Sequence, residues 1–413
     1  MDFVGRLPPE LWSNIFLDCL PFHPSFAALK APLLLTHVCR HWRDVALSTP
    51  TLWSNISLTG GIESITDTTL IRFDMWLERS RSCPLSIDLP TITDYACCIR
   101  DADKLDIVCG IILHLAANGH RLKRLLRIGS QYVTNSDTLQ LSAMPWLEEL
   151  HLCDFSVTRS NRSQDFPITR LPENLRTLTL QGMPLHLTTL PSMPRLCHLD
   201  LLESDVPEHM STQKCLSVLA QLPTLETCGL SLFHDQYIPE YTRLHPVVLP
   251  RLRCLVLDGF GPKIGPFMDH VRTPMLSSLG INGCFAGCWP YVGRFLIEQR
   301  EALSTLAFGK VGAINGGLAQ ALRHCRSSTQ IVLCSGHLGS HMMATMIDLR
   351  PGERRMMTSR NFEVWAQDLK SIENSTSLAS ALQHEQVLLR VCKGVSAEHK
   401  SSLETRLAAE KSD

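Results

Sequence analysis

Neither sign of charge is in excess: 39 Lys and Arg oppose 40 Asp and Glu, for a formal net charge of −1. No global field therefore draws the chain toward nucleic acid, anionic lipid or an acidic substrate. The basic stretches HRLKRLLR (120–127) and RPGERR (350–355) are short, and the first interleaves leucines as a solvated face would. No run reaches the roughly 18 apolar residues of a membrane span. The opening MDFVGRLPPE puts an acid and prolines where a secretory leader needs a basic start and an unbroken apolar stretch. Neither nucleic acid nor membrane is an expected partner.

Signatures of catalysis are missing too. There is no phosphate-binding Gly-x-Gly-x-x-Gly or Walker loop, since GFGPKIG (259–265) carries Pro262 and the wrong interval. A Gly-x-Ser-x-Gly elbow and a His-Glu-x-x-His helix are likewise lacking. No catalytic residue and no cofactor is assigned, and the chain reads as a non-enzyme.

Cysteine is plentiful, with 16 residues, but scattered among apolar neighbours, as at Cys153, Cys197, Cys215, Cys228 and Cys254. Thiols without a compact framework fit a reducing compartment, where buried Cys acts as a small hydrophobe. A soluble intracellular protein, cytoplasmic and/or nuclear, is expected, and the three Asn-x-Ser/Thr sequons read as chance matches. Cys284-x-x-x-Cys288 and the group His324, Cys325, Cys334, His337 and His341 match no defined zinc spacing, so no metal site is assigned.

The first fifty residues hold more large apolar side chains than so short a stretch can enclose. Leu7-Pro8-Pro9-Glu10 suits a helix start, with proline in the first turn and an acid facing the positive end of the macrodipole. Leu11 and Ile15 are four apart, as are Trp12 and Phe16, and Leu20 extends the stripe before Pro21. A second helix is expected to carry Leu34, Val38, Trp42 and Val45 on one face, stopped by Ser48-Thr49-Pro50, with Leu52-Trp53 beyond. Either the segment caps the next domain, or it presents a surface to another protein.

From residue 144 onward one phrase recurs: MPWLEELHL, LPENLRTLTL, MPRLCHLDL, LPTLETCGL, LPRLRCLVL, TPMLSSLGI and REALSTLAF. Its first apolar positions, Leu147, Leu175, Leu196, Leu225, Leu252, Leu276 and Leu303, are 28, 21, 29, 27, 24 and 27 residues apart. That is the period of a leucine-rich repeat, whose units close a core only by stacking. The last two apolar residues of each phrase alternate as in a strand. In five phrases a proline two residues before the first Leu biases the chain toward extended structure and ends the preceding segment. The Asn or Cys of regular repeats is replaced by Phe155, Met183, Ser204, Phe233, Phe260 and Val311, and only Cys284 conforms, so an irregular horseshoe is expected. FDMWLERSRSCPLSIDL reads as a helix and strand of an earlier unit, RLKRLLRIG as part of another, and STQIVLCSG as a further strand.

The fold class expected is α/β. A helical domain spans 1–58, a repeat solenoid 59–350, and a helical cap with a charged tail 351–413. The polar positions of the strands would line a concave face. Candidate substrate-binding residues there and in the adjoining loops are Glu149, His151, Thr179, His198, Asp200, Phe233, Tyr237, Asp258, Phe260 and Asn282.

The order Leu7-Pro8-Pro9-Glu10-Leu11, Ile15-Phe16, Val38-Cys39-Arg40-His41-Trp42-Arg43 and Pro50 with Leu52-Trp53 resembles the F-box-like domain common in proteins of mushroom-forming fungi. The resemblance implies a three-helix module that binds the Skp-type adaptor of a cullin-RING ubiquitin ligase. It implies adaptor contacts from Leu7, Pro8, Pro9, Leu11, Ile15, Phe16, Leu20, Leu34, Val38, Cys39, Trp42, Leu52 and Trp53. The spacing from Phe16 to Val38 is longer than in the compact F-box, with Pro21, Pro24 and Pro32 in the extra stretch. On this reading the repeats select an unknown protein substrate for ubiquitin-dependent degradation. The alternative is a leucine-rich-repeat interaction scaffold without a ubiquitin-ligase role.

Overall fold

Pro8 and Pro9 start the first helix as expected. In a computed structural model α1 spans Pro9–Asp18, with Pro8 as N-cap and Glu10 in the first turn. The described residues are 7–21, 23–58, 65–89, 102–129, 139–153, 171–181, 193–201, 212–232, 246–259, 264–282, 288–309, 324–325 and 330–333. They fall into two units, Met1–Leu196 and Cys197–Asp413.

The second helix differs from expectation. It is broken into α2 (Leu35–Val38) and α3 (Arg40–Ser48) by Cys39, whose backbone is extended at φ −156° and ψ 172°. Side chains take over the hydrogen bonds lost at the break. Thr36 O, which an unbroken helix would offer to Arg40, receives Arg43 Nε at 2.7 Å, and Cys39 Sγ accepts from Trp42 N at 3.5 Å. Leu34 and Val38 are therefore exposed while Val45 is buried, so the expected single row is divided.

A 3₁₀ turn at Pro50–Trp53 leads into β1 (Asn55–Ser57). Next come α4 (Asp67–Arg79), β2 (Leu85–Asp88), α5 (Ala102–Ala117), β3 (Leu122–Gly129), β4 (Glu149–Cys153) and β5 (Thr177–Gln181). The pairs β1·β2, β2·β3, β3·β4 and β4·β5 are all parallel, and the strands of this unit follow chain order. The expected boundary at residue 58 falls just after β1, so the first strand lies inside the stretch read as the helical module. Residues 351–413, read as cap and tail, lie outside the described residues.

Aromatic packing joins the 3₁₀ turn and the stretch between α1 and α2 to α4. Trp53 is buried, donates Nε1–H to Ala46 O at 2.8 Å, and meets Trp76 of α4 edge-on with centroids 5.2 Å apart. Phe26 lies 4.8 Å from Trp76, and the Arg79 guanidinium sits 4.5 Å over Trp53.

In the second unit β6 (His198–Leu201), β7 (Thr227–Leu232), β9 (Cys254–Gly259), β11 (Ser278–Asn282), β12 (Thr305–Gly309) and β13 (Gln330–Leu333) again follow in order, with parallel pairs throughout. The helices α6 (Thr212–Leu219), α7 (Ile264–His270) and α8 (Trp289–Glu298) lie between them in sequence. The short strands β8 (Val247–Val248) and β10 (Val271–Arg272) pair separately.

Each of the seven phrases contains a strand, and its leucines are buried in register: Leu150 faces Leu178, and Leu255 faces Leu279. The prolines act differently from the expectation. Leu147 N donates to Met144 O at 3.1 Å, Leu196 N to Met193 O at 3.2 Å and Leu276 N to Thr273 O at 3.0 Å, so the intervening proline is the second residue of a tight turn. Just beyond it, one carbonyl takes two N–H groups from the following unit. Glu148 O accepts from Arg176 and Thr177, Glu226 O from Arg253 and Cys254, and Ser277 O from Ser304 and Thr305, at 2.8–3.1 Å.

Gly259 at the end of β9 has no room for a side chain, because a Cβ there would lie 2.5 Å from Leu232 O of the paired strand. Gly259→Ala should lower the stability of the second unit by about 2 kcal/mol through overpacking against backbone, read as a reduced urea midpoint. An unchanged midpoint would contradict the close approach.

Candidate functional site

Two rows of apolar side chains divide α1. Phe16 is buried, and Trp12 and Phe16 both pack on Trp42 of α3, with centroids 5.3 and 5.1 Å apart. Ser13 Oγ and Thr49 Oγ1 share a 2.8 Å hydrogen bond that ties α1 to the end of α3. The other row faces solvent, with Leu11 48 % and Ile15 41 % exposed and Leu7 also exposed ahead of it. Leu34 and, at 53 %, Val38 add exposed apolar surface from α2 and the turn before it. These exposed apolar side chains make the segment the candidate for an interaction surface, the role that contiguous apolar patches serve.

The residues expected to face an adaptor therefore separate. Leu7, Pro8, Pro9, Leu11, Ile15, Leu34, Val38 and Cys39 are exposed, while Leu20 and Trp42 are intermediate. Phe16, Leu52 and Trp53 are fully buried and belong to the core, which corrects their assignment as contact residues. Their size gave no clue to direction: Trp53 packs inward on Trp76 of α4.

The polar face of the first unit's strands is more structured than an indifferent solvated surface. Glu149 pairs with Arg124, and Thr179 is half-buried. His151 Nε2 lies 3.4 Å from Cys153 Sγ, which also donates toward Gln181 Oε1 at 3.4 Å. Burial first, and the Arg127 charge second, push the His151 pKa down to about 4. Beside it, Asp88 is a buried hub: Arg127 Nη2 lies 2.6 Å away, Ser57 Oγ donates at 3.3 Å, and His23 Nδ1 is at 3.6 Å. Arg127 holds φ at 59°, where the β3·β4 register shifts between Leu125 and Ile128. Asp88, Arg127 and His23 were not singled out from sequence, because a bulge with positive φ at an arginine has no pattern in a leucine-rich stretch.

In the second unit His198 Nδ1 and Thr227 Oγ1 are hydrogen-bonded at 2.6 Å, and His198 and Asp200 are half-buried. Asp258 and Asn282 are buried instead of lining an open face, and Ser231 and Thr305 are buried as well. The strands β7, β9 and β11 are buried on both faces over most of their length, as parallel strands commonly are. Phe233, Tyr237 and Phe260 lie outside the described residues.

Three thiols, Cys228, Cys254 and Cys325, are poor nucleophiles. Burial raises Cys254 to about 12 and Cys325 to about 11, and it raises Cys228 well above the usual range. Among the described residues no group of three or more His, Cys, Asp and Glu side chains gathers as metal ligands would. Cys288 is buried at the start of α8, His324 and Cys325 are intermediate, and Cys284, Cys334, His337 and His341 lie outside the described residues. No helix among the described residues is long and apolar enough to cross a membrane.

No family model matches the chain, and the search of curated proteins returns no match.

His151 carries a pH dependence whose sign follows from its neutral folded form. Below its usual pKa near 6.5 the unfolded chain takes a proton that the folded protein refuses until about pH 4, so stability falls as pH drops through that window. At pH 5 the loss from this residue should be about 2 kcal/mol. The difference in urea midpoint between pH 7 and pH 5 should therefore be smaller for His151→Gln than for the wild type. Equal differences would mean that His151 is not held neutral.

Proposed function

We propose that the chain is the substrate-recognition subunit of a cullin-RING ubiquitin ligase, with its N-terminal helices docking a Skp-type adaptor and its repeats holding a protein substrate. The observation that carries the reading is the division of α1. A helix that formed only part of a core would turn Leu11 and Ile15 inward with Phe16, yet both face solvent beside Leu7. These are the positions at which the sequence resembles an F-box-like domain. The parallel strands, with their 21–29-residue phrase, support the companion reading of an irregular leucine-rich-repeat solenoid.

The mechanism is proximity. A receptor that holds a substrate lysine near the charged ubiquitin carrier replaces a bimolecular encounter with an oriented one, and it supplies no reacting group itself. The packing of Trp53 on Trp76 suits this role, because it ties the turn after the docking helices to α4.

Purified protein should capture a recombinant Skp-type adaptor, and Leu11→Glu with Ile15→Glu should weaken capture at least about 100-fold, since charge replaces two central apolar anchors. Both side chains are exposed, so the thermal midpoint of the double variant should stay close to that of the wild type. Failure of the wild type to bind, or equal binding by the two proteins, would remove the F-box reading. A bound adaptor that recruits cullin but supports no ubiquitin transfer would favour the scaffold instead.

A further inference from the structure

The stretch between α1 and α2 has a rooted half and a projecting half. At its root Ser57 N of β1 donates to Pro24 O at 2.8 Å, His23 lies 3.6 Å from Asp88, and Phe26 stacks near Trp76. These contacts fix the loop to the first strand of the sheet and to α4. Beyond them, Lys30 N donates to Ala27 O at 3.0 Å and Leu34 N to Lys30 O at 2.9 Å, closing consecutive turns that hold Leu29 at the tip. Leu29 is 85 % exposed, more than any other large apolar side chain among the described residues. A leucine held outward on a braced turn has its ordering cost already met, which suits an anchor.

The stretch that carries it has charge of one sign. From residue 19 to residue 43 the sequence holds no Asp or Glu, while Lys30, Arg40 and Arg43 are exposed together with His37. An apolar anchor next to Lys30 in an acid-free, cationic stretch is complementary to an acidic protein surface that offers an apolar pocket.

We infer that the loop carrying Leu29 and Lys30 is a second contact for the adaptor, to which the exposed Arg40 further along the same acid-free stretch adds charge, and that it meets an acidic part of that partner's surface. The inference rests on the adaptor-binding reading above and adds to it a contact outside the two apolar helices. The longer spacing between Phe16 and Val38 thereby gains a role: it supplies a contact that a compact connection could not reach.

Binding of the full-length protein to recombinant Skp-type adaptor, measured by calorimetry at low and high salt, tests this. Leu29→Ser should weaken binding about tenfold at both salt concentrations, since an apolar contact is lost. Lys30→Glu with Arg40→Glu should weaken it about tenfold at low salt and much less at high salt, because rim charges are screened. Thermal midpoints should be unchanged, which separates lost contact from lost fold. If the wild type binds and these variants bind equally well, the loop contact is refuted while the F-box reading stands. If the wild type does not bind, both fall. Binding of the wild type to phosphatidylserine vesicles that Leu29→Ser abolishes, with adaptor affinity unaltered, would make the loop a membrane contact and overturn the inference.

Discussion

Trp53 is the side chain on which the first unit turns. Its ring is buried between the end of α3 and Trp76, its indole N–H is satisfied by Ala46 O, and the Arg79 guanidinium covers its face. Burying so large a ring with its one donor satisfied contributes several kcal/mol. It also sets where β1 begins, two residues further on. The exposed row of α1 follows from a separate aromatic contact: Trp12 and Phe16 pack on Trp42, and the helical period leaves Leu11 and Ile15 on the outside.

The repeating strands rest on a different device. Regular repeats use an Asn or Cys to satisfy backbone groups, and this chain has neither at most of those positions. On the edge ahead of the strands the backbone provides for itself, through a proline turn and a carbonyl that takes two N–H groups from the next unit. Serines reinforce it where available, as Ser277 Oγ does toward Arg253 O and Ser304 Oγ toward Ser277 O. Such a ladder depends on little besides the turn, so the sequence between strands can vary from 21 to 29 residues per step without breaking the stack.

Polar groups gather where the strands are irregular. The bulge at Arg127 turns its guanidinium onto Asp88, and the pair stands beside a histidine that burial keeps neutral. Ser57, Asp88, Arg127 and His151 come from four successive strands, so the cluster ties neighbouring repeats together through side chains as the ladder does through backbone. It is also the part of the polar face that a partner would find already ordered.

The recurring phrase, its period and the alternation of its leucines were legible because stacking demands the same residue type at the same place in every unit. All seven expected strands are present for that reason, together with those at Leu85–Asp88, Leu122–Gly129 and Gln330–Leu333. The start of α1 was legible from its prolines, and the richness of the first fifty residues in large apolar side chains from composition. Direction was not. Whether Phe16 or Ile15 faces inward, whether Cys39 continues a helix or breaks it, and whether Asp258 and Asn282 line a surface or lie buried depend on neighbours distant in the chain. Local pattern determined the elements and their period, because hydrogen bonding and alternation act over a few residues. Tertiary structure alone decided which apolar rows stayed exposed, because that depends on how much surface the neighbouring elements can cover.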